Sequence, residues 1–149
     1  MKKYLYLIFI FGLFLSCNKD DNVTNNPNLF DTNVGLRLNL NLPQYSDLKF
    51  PSNPVYIGGY GNGGIVVMKR GSQSYVAYDA ADPNHPRNQA CPTMEVDGLR
   101  LVCPCEDNQY DLFTGNFLEN EDNPQDLEYT LYRYQARIGG DGFLSITSF

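Results

Sequence analysis

The chain has 149 residues with 17 acidic and 11 basic side chains, a net charge of −6. Its 42% hydrophobic and 13% aromatic content, with eleven Tyr, nine Phe and no Trp, is enough for a real core and excludes a disordered chain. The acidic balance excludes a sequence-independent nucleic-acid binder, because neutralising phosphate needs a basic face. In chain order, the first element is a segment with Lys2 and Lys3, an apolar run over 4–15 and a small residue, Ser16, before Cys17. This is the pattern of an export signal. Its twelve apolar residues fall short of the ~20 that a membrane-spanning helix needs. Without residues 1–16, nine basic residues face 17 acidic ones, and the net charge of the remaining 133 residues is −8.

The Leu15-Ser16-Cys17 ending resembles the lipobox of bacterial lipoproteins, although Phe14 stands where such boxes usually carry Leu. The resemblance implies that Cys17 is acylated and becomes the mature N-terminus, so that the chain meets the membrane through a lipid anchor. Asn18-Lys19-Asp20-Asp21-Asn22 resembles the acidic export signal of surface lipoproteins of the Bacteroidota, which implies the cell envelope and the outer membrane. Residues 17–33, rich in Asn and Asp with Pro27, read as a lipidated cysteine and a flexible tether. A folded domain is expected over 34–149.

From Val34 onward the pattern is that of a sheet. Val34, Leu36, Leu38, Leu40 and Leu42 alternate with polar residues or Gly35, which puts the leucines on one face of a strand that Pro43 closes. Further strands are expected over 55–57, 65–69, 75–78, 94–96, 99–102, 109–113, 129–138 and 143–147, and no segment shows a sustained helical period. The dipeptide Asp97-Gly98 suits a type I′ hairpin turn. Short strands at this spacing predict an all-β antiparallel sandwich or partly open barrel.

Gly59-Tyr60-Gly61-Asn62-Gly63-Gly64 satisfies G-x-G-x-x-G, but it runs into a strand and not a helix, so it reads as a flexible connection and not a nucleotide site. Glu119, Glu121, Asp122, Asp126 and Glu128 surround Pro124 without the ordered alternation of a calcium loop and read as a solvated acidic loop. No catalytic constellation is visible, and no enzyme activity is expected. There is no Gly-x-Ser-x-Gly, and the single histidine, His85, lies between Pro83 and Pro86 and reads as a solvent-facing loop residue.

The remaining cysteines stand in Cys91-Pro92-Thr93 and Cys103-Pro104-Cys105-Glu106, at the two ends of the expected hairpin, which brings the segments side by side. Either a disulfide or a two-loop metal site requires that arrangement. These segments, followed by Tyr110-Asp111-Leu112-Phe113-Thr114-Gly115, resemble the two cluster-binding loops of the Rieske iron–sulfur family, and the flanking strands match over roughly residues 36 to 149. The resemblance implies a Rieske-like β domain and places Cys91 and Cys103 at the thiolate ligands of a [2Fe-2S] cluster. Thr93 and Glu106 then stand where both histidines belong.

The expected cofactor is accordingly none, with [2Fe-2S] implied by the family alone. The resemblance also places Cys91 against the second loop and implies a disulfide from Cys91 to Cys103 or to Cys105. The family's own bridge would join Cys105 to the position of Val96 and is missing here. In an exported protein, adjacent thiols tend to oxidise, and three cysteines permit one bridge and leave one thiol. Cys91, Cys103, Cys105 and His85 have the ligand types of a closed zinc site, at a spacing that matches no standard pattern. The function expected is an exported, lipid-anchored binding or structural module with a protein or small-molecule partner. The alternative is an electron-transfer protein whose cluster has non-standard ligands.

Overall fold

A computed structural model describes residues 26–119 and 127–149. The signal segment, Cys17 and the acidic loop over 120–126 lie outside the described residues. The fold is all-β and antiparallel, as expected, and among the described residues no helix is long and apolar enough to cross a membrane. Six strands form one sheet in the order β1 (Gly35–Asn39), β9 (Phe143–Thr147), β8 (Arg133–Ile138), β4 (Tyr75–Asp79), β3 (Ile65–Lys69), β2 (Val55–Ile57). A second sheet holds β5 (Glu95–Asp97), β6 (Arg100–Val102) and β7 (Gln109–Asp111).

Two apolar cores follow from the two-residue side-chain period of β3 and β4. Ile65, Val67, Tyr75 and Ala77 enter the core formed with Leu38, Leu48, Tyr134, Leu144 and Ile146. Their neighbours Val66, Met68, Val76 and Tyr78 enter the other, against Leu101, Tyr110 and Leu112 of the three-stranded sheet and the segment after it. Strands covered on both faces read as continuous apolar runs, which is why Ile65-Val66-Val67-Met68 does not alternate. Strand β1 has one covered face, and its alternation with Leu38 inward is preserved.

Several local expectations change. The first strand ends at Asn39, because the Asn39 side chain and carbonyl accept the Asn41 and Leu42 amides and turn the chain. Pro43 then opens a 3₁₀ helix, Pro43–Lys49, that buries Leu48 completely. The strand expected over 129–138 starts only at Arg133. Before it, Tyr129 is tied to the Asn84 side chain, and the Leu131 amide donates to the Gly115 carbonyl. In the hairpin, Asp97 pairs with Arg100, so Gly98 and Leu99 form the turn in place of Asp97-Gly98. Positive φ at Gly98 alone is the pattern of a type II′ turn; the turn moves by one residue, and the partner of Val96 moves by two, from Leu99 to Leu101.

Residues 26–33, expected to belong to a tether, are packed onto the domain. Asn26 is buried and its side-chain amide donates to the Pro83 carbonyl at 2.9 Å; Leu29 enters the first core, and the Phe30 amide donates to Asn62. The glycine-rich loop is likewise fixed. The amides of Asn62 and Gly63 donate to the carboxylate of Asp79, at 2.7 and 2.9 Å, and a Cβ at Gly61 would stand 2.5 Å from that carboxylate. The loop does cradle an anion, and the anion is the chain's own.

Candidate functional site

The segment after β4 carries the first cysteine and the turn before β7 carries the other two. Asp82 organises both. Its side chain is buried and accepts from the Asn84 amide at 2.9 Å, the Tyr110 hydroxyl at 2.6 Å and the Asn108 side chain at 2.8 Å. This turns the chain so that residues 82–85 lie over the second sheet. Asn84 continues the network to Tyr110 and to both backbone groups of Tyr129. Burial, and secondly the charge of Asp82, hold the Tyr110 hydroxyl well above its ordinary value, so it remains a donor.

Cys91 and Cys105 form a disulfide with a Cα–Cα distance of 6.1 Å. Of the two pairings expected, this is the one the structure has. Cys103 is the free thiol, 1% exposed, with its Sγ 3.8 Å from Cys91 Sγ. Burial raises its pKa to about 12; the amides of Cys105 and Glu106 pull the other way, and nearby Asp82 adds to the rise. At neutral pH Cys103 is a protonated, poorly nucleophilic thiol.

His85 does not face solvent. Its side chain is 10% exposed, Nδ1 lies 2.7 Å from Glu106 Oε1, and Nε2 lies 3.2 Å from the Gln89 carbonyl. Donor atoms of His85, Cys91 and Cys103 all lie within 4.8 Å of one another, and those of Asp82, Cys103 and Glu106 form a second such group. Pairing with Glu106 and the turn held by Asp82 draw the ring onto the cysteines, although six residues separate it from Cys91 in sequence.

The four positions that the sequence resemblance would assign to cluster ligands are engaged as follows. Cys91 is spent in the disulfide, Cys103 is a buried thiol, and the Thr93 hydroxyl donates to the Gly63 carbonyl at 3.0 Å. Glu106 is paired with His85. A Rieske centre needs two thiolates on one iron and two imidazoles on the other. This donor set does not fit such a centre, and no chemistry through a cluster follows from it.

Beside the cysteines lies a cleft of about 320 Å³, lined among others by Phe30, Asn62, His85, Arg87, Cys91 and Thr93. The Arg87 guanidinium stacks over the Phe30 ring at 4.3 Å, so the cleft combines an aromatic wall, a cation and the edge of the disulfide. Sequence reasoning missed Asp79 and Asp82, the two carboxylates that shape it. An Asp followed by two small or turn-forming residues at a strand end was the available signal.

No protein-family model and no curated protein matches the chain. Among solved structures it is similar to a chain of the complex of reduced oxygenase and oxidized ferredoxin in carbazole 1,9a-dioxygenase, at 14% identity and a TM-score of 0.43, covering 69% of this chain and 86% of that one. It is also similar to the ferredoxin of carbazole 1,9a-dioxygenase from Nocardioides aromaticivorans IC177, at 14% identity and a TM-score of 0.40, covering 67% and 88%. A third structure, assigned as the small subunit of an NADH-dependent nitrite reductase from Mycobacterium tuberculosis, has 18% identity and a TM-score of 0.45, covering 80% and 98%.

Proposed function

We propose that this chain is an exported, lipid-anchored binding module built on a Rieske-like scaffold, whose two cysteine loops are closed by a disulfide and hold no iron–sulfur cluster. The observation that carries the reading is the bond between Cys91 and Cys105, which removes a thiolate from the position the family would use for iron. Thr93 and Glu106, both engaged elsewhere, supply no imidazole. The cleft beside these loops has the size of a small-molecule site and offers polar groups at its edge, which makes it the place where a ligand or a peptide side chain would dock.

The test is purification of the chain without oxygen, followed by iron and acid-labile sulfide determination and a visible spectrum. A colourless protein lacking both is expected. Stoichiometric iron and sulfide would establish the electron-transfer reading in its place. The anchor is tested separately: Cys17→Ala should move the protein from the membrane to the soluble fraction, since the apolar run is too short to hold it as a helix.

A further inference from the structure

Two of the sulfur atoms at the disulfide, those of Cys91 and Cys103, already have the spacing of a metal shell. Two thiolates bound to tetrahedral zinc, each at about 2.3 Å, lie about 3.8 Å apart. Cys91 Sγ and Cys103 Sγ are 3.8 Å apart. The His85 donor, within 4.8 Å of both, has at most about 1.3 Å to close to reach the nitrogen–sulfur spacing of the same shell. Cys105 Sγ is bonded to Cys91 Sγ and stands outside that group of three, so reduction frees a further sulfur that completes the shell by a turn of its exposed loop.

The backbone is prepared on one side of the shell. The Cys103 amide donates to the Asn108 carbonyl, and its own carbonyl accepts from the Asp107 amide, which fixes the turn carrying two of the sulfurs. Across from it, the ring of His85 is held by Glu106 on one nitrogen and the Gln89 carbonyl on the other. Ligation uses one ring nitrogen and leaves the other with its partner, the usual way a metal-bound imidazole is oriented.

We propose that the reduced chain binds one zinc ion through Cys91, Cys103, Cys105 and His85, and that the Cys91–Cys105 disulfide is the oxidised, metal-free form of the same site. Three sulfurs and one nitrogen are a donor set that suits zinc in a closed tetrahedral site. A dithiol reductant supplies two electrons and two protons: the S–S bond breaks, Cys91 and Cys105 become thiols, and the reductant leaves as its own disulfide. Zinc then displaces three thiol protons to solvent, together with any proton on the ring nitrogen that turns to it, and accepts the lone pair of that nitrogen of His85, with no electron transfer in that step. The inference rests on the reading that the loops hold no iron–sulfur cluster.

The experiment uses the full-length chain carrying Cys17→Ser, which removes the one other cysteine. The protein is reduced, desalted anaerobically and titrated with Co²⁺ and then Zn²⁺ against a chromophoric chelator, beside an untreated, disulfide-bonded sample. One metal per chain is expected, with the intense visible bands of a tetrahedral cobalt–thiolate site that zinc abolishes. Affinity should exceed that of the oxidised chain by on the order of 100-fold, since oxidation removes two of four ligands. Cys105→Ser and His85→Gln, each compared with the reduced parent chain, which lacks the disulfide as well, should each weaken zinc binding by about 10-fold or more. Equal affinity of the oxidised and reduced chains overturns the proposal, as does a reduced chain without thiolate–cobalt bands or zinc binding undiminished in both variants. A parallel reconstitution with iron and sulfide separates the two readings, because cluster uptake refutes the cluster-free module, whereas failure of the zinc titration alone leaves that module standing.

Discussion

Replacing Asp79 by Asn should cost this domain about 3 kcal/mol, because the carboxylate faces donors on both oxygens. Oδ1 accepts from the Gly63 and Ala81 amides, each at 2.9 Å. Oδ2 accepts from the Asn62 amide, the Asn62 side chain and the Tyr134 hydroxyl, at 2.7, 3.0 and 2.7 Å. The residue is completely buried. An Asn side chain must aim its NH₂ at one of these groups. On the Oδ2 side the Tyr134 hydroxyl can turn to accept, but the Asn62 amide is left unpaired and the Asn62 side chain cannot turn without losing its bonds to the Phe30 amide and carbonyl; on the Oδ1 side two backbone amides lose their acceptor. One unpaired buried amide costs about 1–3 kcal/mol, and losing the charge weakens each remaining bond by roughly 1 kcal/mol, offset in part by the cheaper burial of a neutral group. Urea unfolding followed by tyrosine fluorescence measures the difference. Asp111→Asn is the control: all three of its turn contacts, from the Phe113 amide and from the Thr114 amide and hydroxyl, fall on Oδ1, so an amide keeps them and the cost should stay below about 1 kcal/mol. If Asp79→Asn costs no more than Asp111→Asn, the cradle does not stabilise the loop in the way argued.

Three further outcomes are expected. Cys105→Ser should lower the unfolding free energy by about 3 kcal/mol, the chain-entropy value for a bridge across fourteen residues, and a change under 1 kcal/mol would show that the unfolded chain is not restrained by it. Alkali should destabilise the domain. The folded pKa of Cys103 lies above its ordinary 9.0, and those of Tyr75, Tyr78, Tyr110, Tyr132 and Tyr134 lie above 10.0, so the folded chain holds protons that the unfolded chain releases. Their contribution is complete below pH 9 and is lost as pH rises through the folded values; urea midpoints against pH should fall first between 9 and 10, and Cys103→Ala should flatten that first part. Finally, Gly63→Ala should cost more than Gly98→Ala. The former drives a Cβ to 2.5 Å from the Ala81 backbone nitrogen, whereas the latter meets open space and pays only for its left-handed φ, about 1–2 kcal/mol. Thermal unfolding of the two variants gives the order.

The strands were legible in the sequence because their period reports burial directly: Leu36 and Leu38 alternate where one face is covered, and Val66 and Val67 both sink where two are. The hairpin register was not. Asp97-Gly98 and Gly98-Leu99 are both acceptable turns around the same glycine, and because their registers differ by two residues both keep Leu101 on the face of the second core, so the hydrophobic pattern does not tell them apart. The cysteine pair was narrowed to two choices by resemblance and decided by the turn at Cys103. His85 was misread because proximity here runs through Asp82 and Glu106, side-chain contacts across 21 to 28 residues that no local pattern encodes. The glycine-rich loop was misread for a similar reason: its partner, Asp79, is 16 to 17 residues away.

The pairing of β1 with β9 has a kinetic consequence. Gly35 meets Thr147 and Asn39 meets Phe143, so the first strand of the described domain has its sheet partner at the far end of the chain. Central strands β3 and β4 are joined by a short turn and can associate early, but β1 must wait until almost the whole polypeptide is available. Closing so long a loop is slow, and contacts of this range set the pace of folding. A chain emerging N-terminus first, from a ribosome or through a membrane pore, therefore cannot complete its larger sheet until its last strand has followed. Stopping synthesis or cleaving just before Phe143 would expose the edge of β8 and orphan β1 together, a state prone to pair with other chains.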